Sequence, residues 1–196
     1  MVNNDDIVPI GYRTVPGVQY GMGLSTSWKN FEFNILFQGS GKCDFFIGGN
    51  GPHAFRNGQT GNILQTMVDD NRWIPSEISG DVSTENPNAS WPRLTWGNND
   101  NNNQKSTFWL RDGRYIRLKN IELRYNVPTT FTRKFFVSNM QIGFIGENLH
   151  TWSPFKLWDP ENATTDEKNS GVRSGNAYPI NRTYSCSVSY THLTLP

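Results

Sequence analysis

The sequence predicts an all-β fold, an antiparallel up-and-down meander of about five long strands, and three observations carry that prediction. Apolar and polar residues alternate with a period of two over successive stretches of the chain. The connections between those stretches alternate short, long, short, long. The composition, with 18 Gly, 12 Phe, 7 Tyr and 7 Trp in 196 residues, suits strands joined by turns better than helices.

The first strand places Tyr20, Met22, Leu24, Thr26 and Trp28 on one face and Gly21, Gly23, Ser25 and Ser27 on the other. Only Lys29-Asn30 separates it from the second, where Phe31, Phe33, Ile35 and Phe37 alternate with Glu32, Asn34, Leu36 and Gln38, so the pair is expected to be a tight hairpin. The third sets Ile121, Leu123 and Tyr125 against Asn120, Glu122 and Arg124 and stops at Pro128, which removes a ladder donor. Upstream, over Tyr115 to Lys119, the apolar phase switches to Ile116 and Leu118. The fourth opposes Met140, Ile142 and Phe144 to Gln141, Gly143, Ile145 and Glu147. The fifth follows Pro179, with Tyr184 and Cys186 against Thr183, Ser185 and Ser187.

Loops longer than about 12–15 residues are uncommon in compact domains. Here the segments Phe46 to Thr107 and Leu149 to Tyr178 leave the same end of the meander, while Lys29-Asn30 and Val127 to Lys134 close the other. A transmembrane β-barrel has this pattern: short turns on one side, long extracellular loops on the other, and strands that alternate a lipid-facing apolar residue with a lumen-facing polar one. A soluble sandwich gives the same alternation, with core on one face and water on the other. The Gly/Ser face of the first strand and the aromatics near strand ends (Tyr20, Trp28, Phe31, Tyr125) favour the barrel.

No window approaches the roughly 20 apolar residues of a membrane-spanning helix, and no signal peptide is evident. With 18 basic and 17 acidic residues there is no cationic excess for a nucleic-acid surface. Cys43 and Cys186 form no zinc-like or disulfide-framework spacing and read as small apolar residues. The opening Met1-Val2-Asn3-Asn4-Asp5-Asp6 and the abrupt close at Pro196 suggest a piece of a longer protein.

Several strings, in order, resemble the C-terminal part of the SusC/RagA family of TonB-linked outer-membrane proteins. The most specific is the run from Ser106 to Ile121 containing Asp112-Gly113-Arg114-Tyr115-Ile116-Arg117-Leu118-Lys119-Asn120, followed by Leu123, Tyr125 and Pro128. Around it lie Tyr20-Gly21, Phe37-Gln38-Gly39, Arg72-Trp73-Ile74-Pro75, Trp91-Pro92-Arg93-Leu94, Glu147-Asn148-Leu149-His150-Thr151-Trp152, Asp159-Pro160-Glu161 and Tyr178-Pro179. The resemblance covers roughly residues 5 to 187. It implies a bacterial outer-membrane barrel of about 22 strands around a plug, of which this chain is the C-terminal portion. It also implies two long extracellular loops, import of glycans or oligopeptides, a SusD-like surface lipoprotein over loops such as 46–106 and 149–177, and a TonB complex acting through a plug domain outside this chain. Residues 1–187 are assigned to that barrel. The tail 188–196, Val188 to Pro196, resembles a translated sequencing adapter rather than a barrel's aromatic terminus and is set aside as non-native, the alternative being a genuine short strand.

In this frame the lipid-facing residues are Tyr20, Met22, Leu24, Trp28, Phe31, Phe33, Ile35, Phe37, Ile121, Leu123, Tyr125, Met140, Ile142, Phe144 and Tyr184. Trp73, Trp91, Trp96, Trp109, Trp152 and Trp158 fall in or beside the long loops and are candidates for substrate or partner contact, or for folding the loops on themselves. No catalytic motif, cofactor or metal site is expected: His53, His150 and His192 are scattered, and Asp69-Asp70 beside Arg72, like Asp159 with Glu161, reads as solvated loop charge. The Asn98 to Asn103 run reads as a flexible loop tip, and the sequons at Asn88, Asn162 and Asn181 carry no meaning in a bacterial protein. The competing readings are a secreted carbohydrate-binding β-sandwich and a glycoside hydrolase fragment.

Overall fold

The computed structural model describes residues 7–56, 63–69, 72–97 and 99–192. Its contacts divide the chain into two units: Pro16–Cys43, Gly113–Glu161 and Pro179–Pro196 form one, and Met1–Val15, Asp44–Asp112 and Asn162–Tyr178 form the other.

The first unit is a five-stranded antiparallel sheet of β1 (Val18–Trp28), β2 (Phe31–Gly41), β5 (Tyr115–Asn126), β6 (Val137–Trp152) and β8 (Thr183–His192), in the order β1-β2-β5-β6-β8. Strands adjacent in the meander are adjacent in the sheet, and β1 and β8 are its two open edges. The β1–β2 connection is the expected two-residue turn, with Lys29 in the left-handed region at φ 54°. The β5–β6 connection holds a single helical turn, α3 (Thr129–Thr132), entered at Pro128, and then a 3-10 turn over Arg133–Phe135. Both short connections lie at one end of the sheet, and the chain leaves for its long segments at the other.

Register places the two faces. Leu24 faces Ile35, which faces Ile121, which faces Gly146; Thr26 faces Phe33, Leu123, Phe144 and then Cys186 across successive strands. All fifteen residues assigned to lipid therefore share one face of the sheet. Tyr184, Cys186, Val188 and Tyr190 continue that face on β8. The strand pairs with β6 as far as His192, so its last residues extend past position 187 into the adapter-like segment; residues 193–196 lie outside the described ones.

The phase switch seen in the sequence between Leu118 and Ile121 is a β-bulge. Leu118 pairs with Phe37 and Asn120 with Leu36, so Lys119 is an extra residue on β5. On the other side, Lys119 stands against Asn148 and Leu149 of β6, with Asn148 in the left-handed region at φ 53°. One inserted residue reverses the in/out parity of everything upstream, and so Ile116 and Leu118 return to the apolar face.

The second unit was expected to be loop and instead carries a small sheet of its own. In it β3 (Asp44–Ile47) lies between antiparallel β4 (Leu110–Asp112) and parallel β7 (Val172–Arg173), in the order β4-β3-β7. Strands of two to four residues are too short to show alternation, which is why the sequence did not reveal them. Three helical turns accompany them: α1 (Gln65–Asp69), α2 (Ser76–Ser79) and α4 (Thr165–Ser170). The last begins with a capping box, Thr164 accepting from the Glu167 N–H while Glu167 accepts from the Thr164 N–H, and ends at Gly171 with φ 73°. Its core is Phe45, Ile47, Met67, Trp91 and Trp109, with the Arg173 guanidinium 4.0 Å from the centre of the Phe45 ring.

Candidate functional site

Among the described residues of the five-stranded unit, no second sheet covers the apolar face. Met22 and Leu24 are 67% and 59% exposed, and Trp28, Phe31, Leu123, Ile142, Phe144 and Tyr184 are also exposed. A sandwich would bury Phe33, Ile35, Leu123 and Phe144 between layers; here Leu123 and Phe144 are exposed and the other two are only half-buried, shielded by their neighbours in the sheet.

Aromatic residues bracket this face. At one end Trp28, Phe31 and Tyr125 lie in one row across the strands, with Phe31 and Tyr125 rings 4.7 Å apart. At the other, Tyr20, Gly39, Ile116 and Trp152 share a row, and Trp152 stacks edge-on against His150 at 4.4 Å. Gly39 is there because the Tyr20 ring crosses it: a Cβ at Gly39 would lie 2.4 Å from the Tyr20 ring, whose hydroxyl donates to the Tyr115 carbonyl at 3.1 Å. The two rows are separated by eight residues of β1, about 27 Å along the strand and about 20 Å along the normal of a bilayer at the usual strand tilt.

The opposite face is a ladder of polar side chains that satisfy one another. Asn34 donates to Glu122 at 3.2 Å, Arg124 pairs with Glu122, Asn126 donates to Glu32 at 2.8 Å, and Gln141 donates to Asn126 at 2.9 Å. At the end from which the long segments leave, Arg117 is 1% exposed and its Nη2 donates to both carboxylate oxygens of Asp159, at 2.6 and 2.7 Å, with Glu161 at 3.4 Å. Asp159 and Glu161, expected to be solvated loop charges, therefore hold the segment after β6 against β5. A buried guanidinium draws a carboxylate to it because the unpaired ion would be costly.

The same strings that carry the family resemblance thus meet in space. Arg117 of the β5 motif finds Asp159 of Asp159-Pro160-Glu161. In the other unit, Arg72 bridges to Trp91, and the Trp73 N–H donates to the Trp91 carbonyl at 2.9 Å, joining Arg72-Trp73-Ile74-Pro75 to Trp91-Pro92-Arg93-Leu94. Arg72 Nη1 also donates to the carbonyls of Met67 and Val68 in α1, and the Asp69 side chain and Asp70 lie outside what the structure describes.

The six tryptophans separate. Trp91 and Trp109 are buried with rings 6.3 Å apart, and Trp109 Nε1 donates to the Asn102 carbonyl at 2.6 Å. Trp73 is half-buried beside them through its backbone bond, Trp158 packs edge-on against Phe155 at 4.9 Å, and Trp152 belongs to the aromatic row of the sheet. Trp96 alone of the six stands well out, 70% exposed, with Phe55 at 5.3 Å. The asparagine run is a fixed turn rather than a free tip: the Asn103 N–H donates to the Asn99 carbonyl at 3.0 Å, and the turn presents Asn102 to Trp109; Asn98 lies outside the described residues. His53, which no motif marks, is buried against Trp109 at 4.9 Å between ring centres. Burial, reinforced by the Arg56 charge, lowers its pKa to about 4, so the ring is neutral at pH 7.

An open antiparallel sheet with one apolar exposed face, one polar face and aromatic rows at both ends has the pattern of a transmembrane barrel wall. The chain is homologous to TonB-dependent receptors. It is 28% identical over 195 residues to TonB-dependent receptor P26 of Formosa agariphila, covering 97% of this chain and 18% of the relative. To TonB-dependent receptor P3 of the same organism it is 27% identical over 183 residues, covering 89% of this chain and 16% of the relative. No family model matches. Among solved structures, the RagAB peptide importer matches 96% of the chain in its open-open state, with a TM-score of 0.68 and 20% identity, and in its closed-closed state with 0.69 and 19%. In each case the match spans 18% of that protein's chain. TonB-dependent receptors are outer-membrane transporters and not enzymes, and this chain spans about a fifth of the length of such a receptor.

Proposed function

We propose that the receptor to which this chain belongs imports glycans or oligopeptides across the outer membrane, and that the chain supplies part of its barrel wall and part of its extracellular vestibule. In this reading the fifteen-residue apolar face touches lipid, the Glu32–Asn34–Glu122–Arg124 face lines the lumen, and the segments 44–112 and 162–178 face the medium. A SusD-like lipoprotein would close over those segments, and TonB would act on a plug outside this chain. One observation carries the reading: the five paired strands turn apolar side chains to one uncovered face, while β2, β5 and β6 turn hydrogen-bonded polar side chains to the other. That arrangement is unfavourable in water and favourable only where hydrocarbon meets one side.

The test is uptake. Cells carrying the intact receptor should accumulate fluorescent oligosaccharides or oligopeptides in a TonB-dependent manner, and removing residues 63–106 should abolish uptake while leaving the barrel in the membrane. Uptake unchanged by that deletion would contradict the vestibule assignment. Residues 188–196 are proposed to be non-native, so a receptor whose last strand ends in an aromatic residue in their place should assemble more efficiently.

A further inference from the structure

Outside the ion cluster and the apolar face, the loop-borne unit holds a cavity of about 240 Å³. Trp109 and Phe46 supply apolar walls, Asn103 an amide, and Arg56 and Lys105 two cations against the single carboxylate of Asp100. His53 lines it as well, 6% exposed, with neither Nδ1 nor Nε2 hydrogen-bonded among the described residues. A neutral imidazole carries one donor and one acceptor, and burying both without partners costs free energy that a bound polar group recovers. Its Nε2 side is closed by backbone: a Cβ on Gly48 would come within 3.3 Å of that atom, so glycine at 48 makes room for the ring. Lys105 is held across the mouth by a 3.1 Å bond to the Ser170 carbonyl and stands 5.7 Å from the Phe46 ring centre, which fixes its charge near the cavity. The volume suits one sugar ring or one amino-acid side chain, smaller than a whole drug-sized ligand pocket.

We propose that this cavity is a subsite for one carboxylate-bearing unit of the imported oligomer, an acidic sugar or an acidic amino acid. Arg56 and Lys105 take the carboxylate, and His53 takes a hydroxyl or amide of the same unit. The excess of one positive charge at the lining sets the sign of the ligand, and the Nδ1 side of His53, the one not closed by Gly48, suits a group that can donate or accept, as sugar hydroxyls and peptide amides can. This inference rests on the import reading.

The experiment offers the purified intact receptor, with its lipoprotein, a mixture of a tryptic casein digest and a partial pectin digest, and identifies the retained oligomers by mass spectrometry. Acidic oligomers should be enriched over neutral ones, and Arg56→Gln with Lys105→Gln should cut that ratio about tenfold while neutral retention stays the same. Whether the enriched acids are peptides or uronates identifies the source of the carboxylate. His53→Gln, which keeps a donor and an acceptor, should retain more of the preference than His53→Leu. Retention without acidic preference, or a preference that the charge variants leave intact, would overturn the subsite and leave the import reading standing. Variants that lose neutral and acidic oligomers alike would also overturn it, and a wild-type receptor that retains no oligomer would overturn both readings.

Discussion

Arg117 shows how a single buried charge organises a long segment. Replacing it with Met leaves Asp159, 19% exposed, facing an apolar side chain, and breaking such a pair costs about 3–5 kcal/mol. We expect Arg117→Met to raise amide hydrogen exchange across residues 153–161 of the intact receptor, and Arg117→Met with Asp159→Leu to recover much of the protection. Unchanged exchange in the single variant would show that the pair does not hold the segment. His53 gives a pH dependence with a definite sign. Its folded pKa of about 4 lies below the ordinary 6.5, so its contribution is fully present above pH 6.5 and is lost as pH falls toward 4. Between pH 7 and 4.5 the wild type should lose more stability than His53→Leu, by on the order of 1–2 kcal/mol after allowance for solvent screening, read as the difference in thermal midpoints. Neither residue's role was legible locally. Arg117 sat inside a recognised string and Asp159 inside another, but only the fold shows that the two strings touch, and nothing around Pro52-His53 distinguishes a buried imidazole from an exposed one.

At the scale of elements, the alternation that predicts β1, β2, β5, β6 and β8 is legible because each strand has two chemically different faces, and period two is all that a reader needs. The break in β5 was also visible, as a change of phase, although its cause was not. Lys119 as the extra residue predicts that its deletion keeps Ile116 and Leu118 on the apolar face in line with Ile121, while one further residue inserted beside it forces them onto the polar face. The insertion variant should assemble poorly, with its heat-modified band on unboiled gels reduced, whereas the Lys119 deletion should assemble better. Equal assembly of both would contradict the bulge. The loop tryptophans could not be sorted from the sequence, because burial of Trp91 and Trp109 depends on β3, β4 and the Asn99–Asn103 turn coming together from distant positions. Trp109→Ala should destabilise the loop-borne unit by about 3–5 kcal/mol, which limited proteolysis of intact cells would register as new cleavage within 44–112.

For the whole molecule, the five strands leave two unpaired edges and an uncovered apolar face. Expressed alone in water, residues 7–192 should aggregate or need detergent. In the receptor we propose, those edges would be joined to neighbouring strands and the face to lipid. The central claim is that hydrocarbon, and no protein layer, touches that face. It is tested most directly by nitroxide labels placed one at a time on the intact receptor in bilayers, at Leu24, Ile35, Leu123 and Phe144 and, for contrast, at Asn34 and Glu122. The account predicts that the first four relax strongly with oxygen and weakly with a water-soluble nickel complex, as labels in hydrocarbon do, while the two polar-face positions do not show that oxygen preference. Labels at Leu24, Ile35, Leu123 and Phe144 shielded from both reagents would mean that a second layer of protein covers them, and would contradict it.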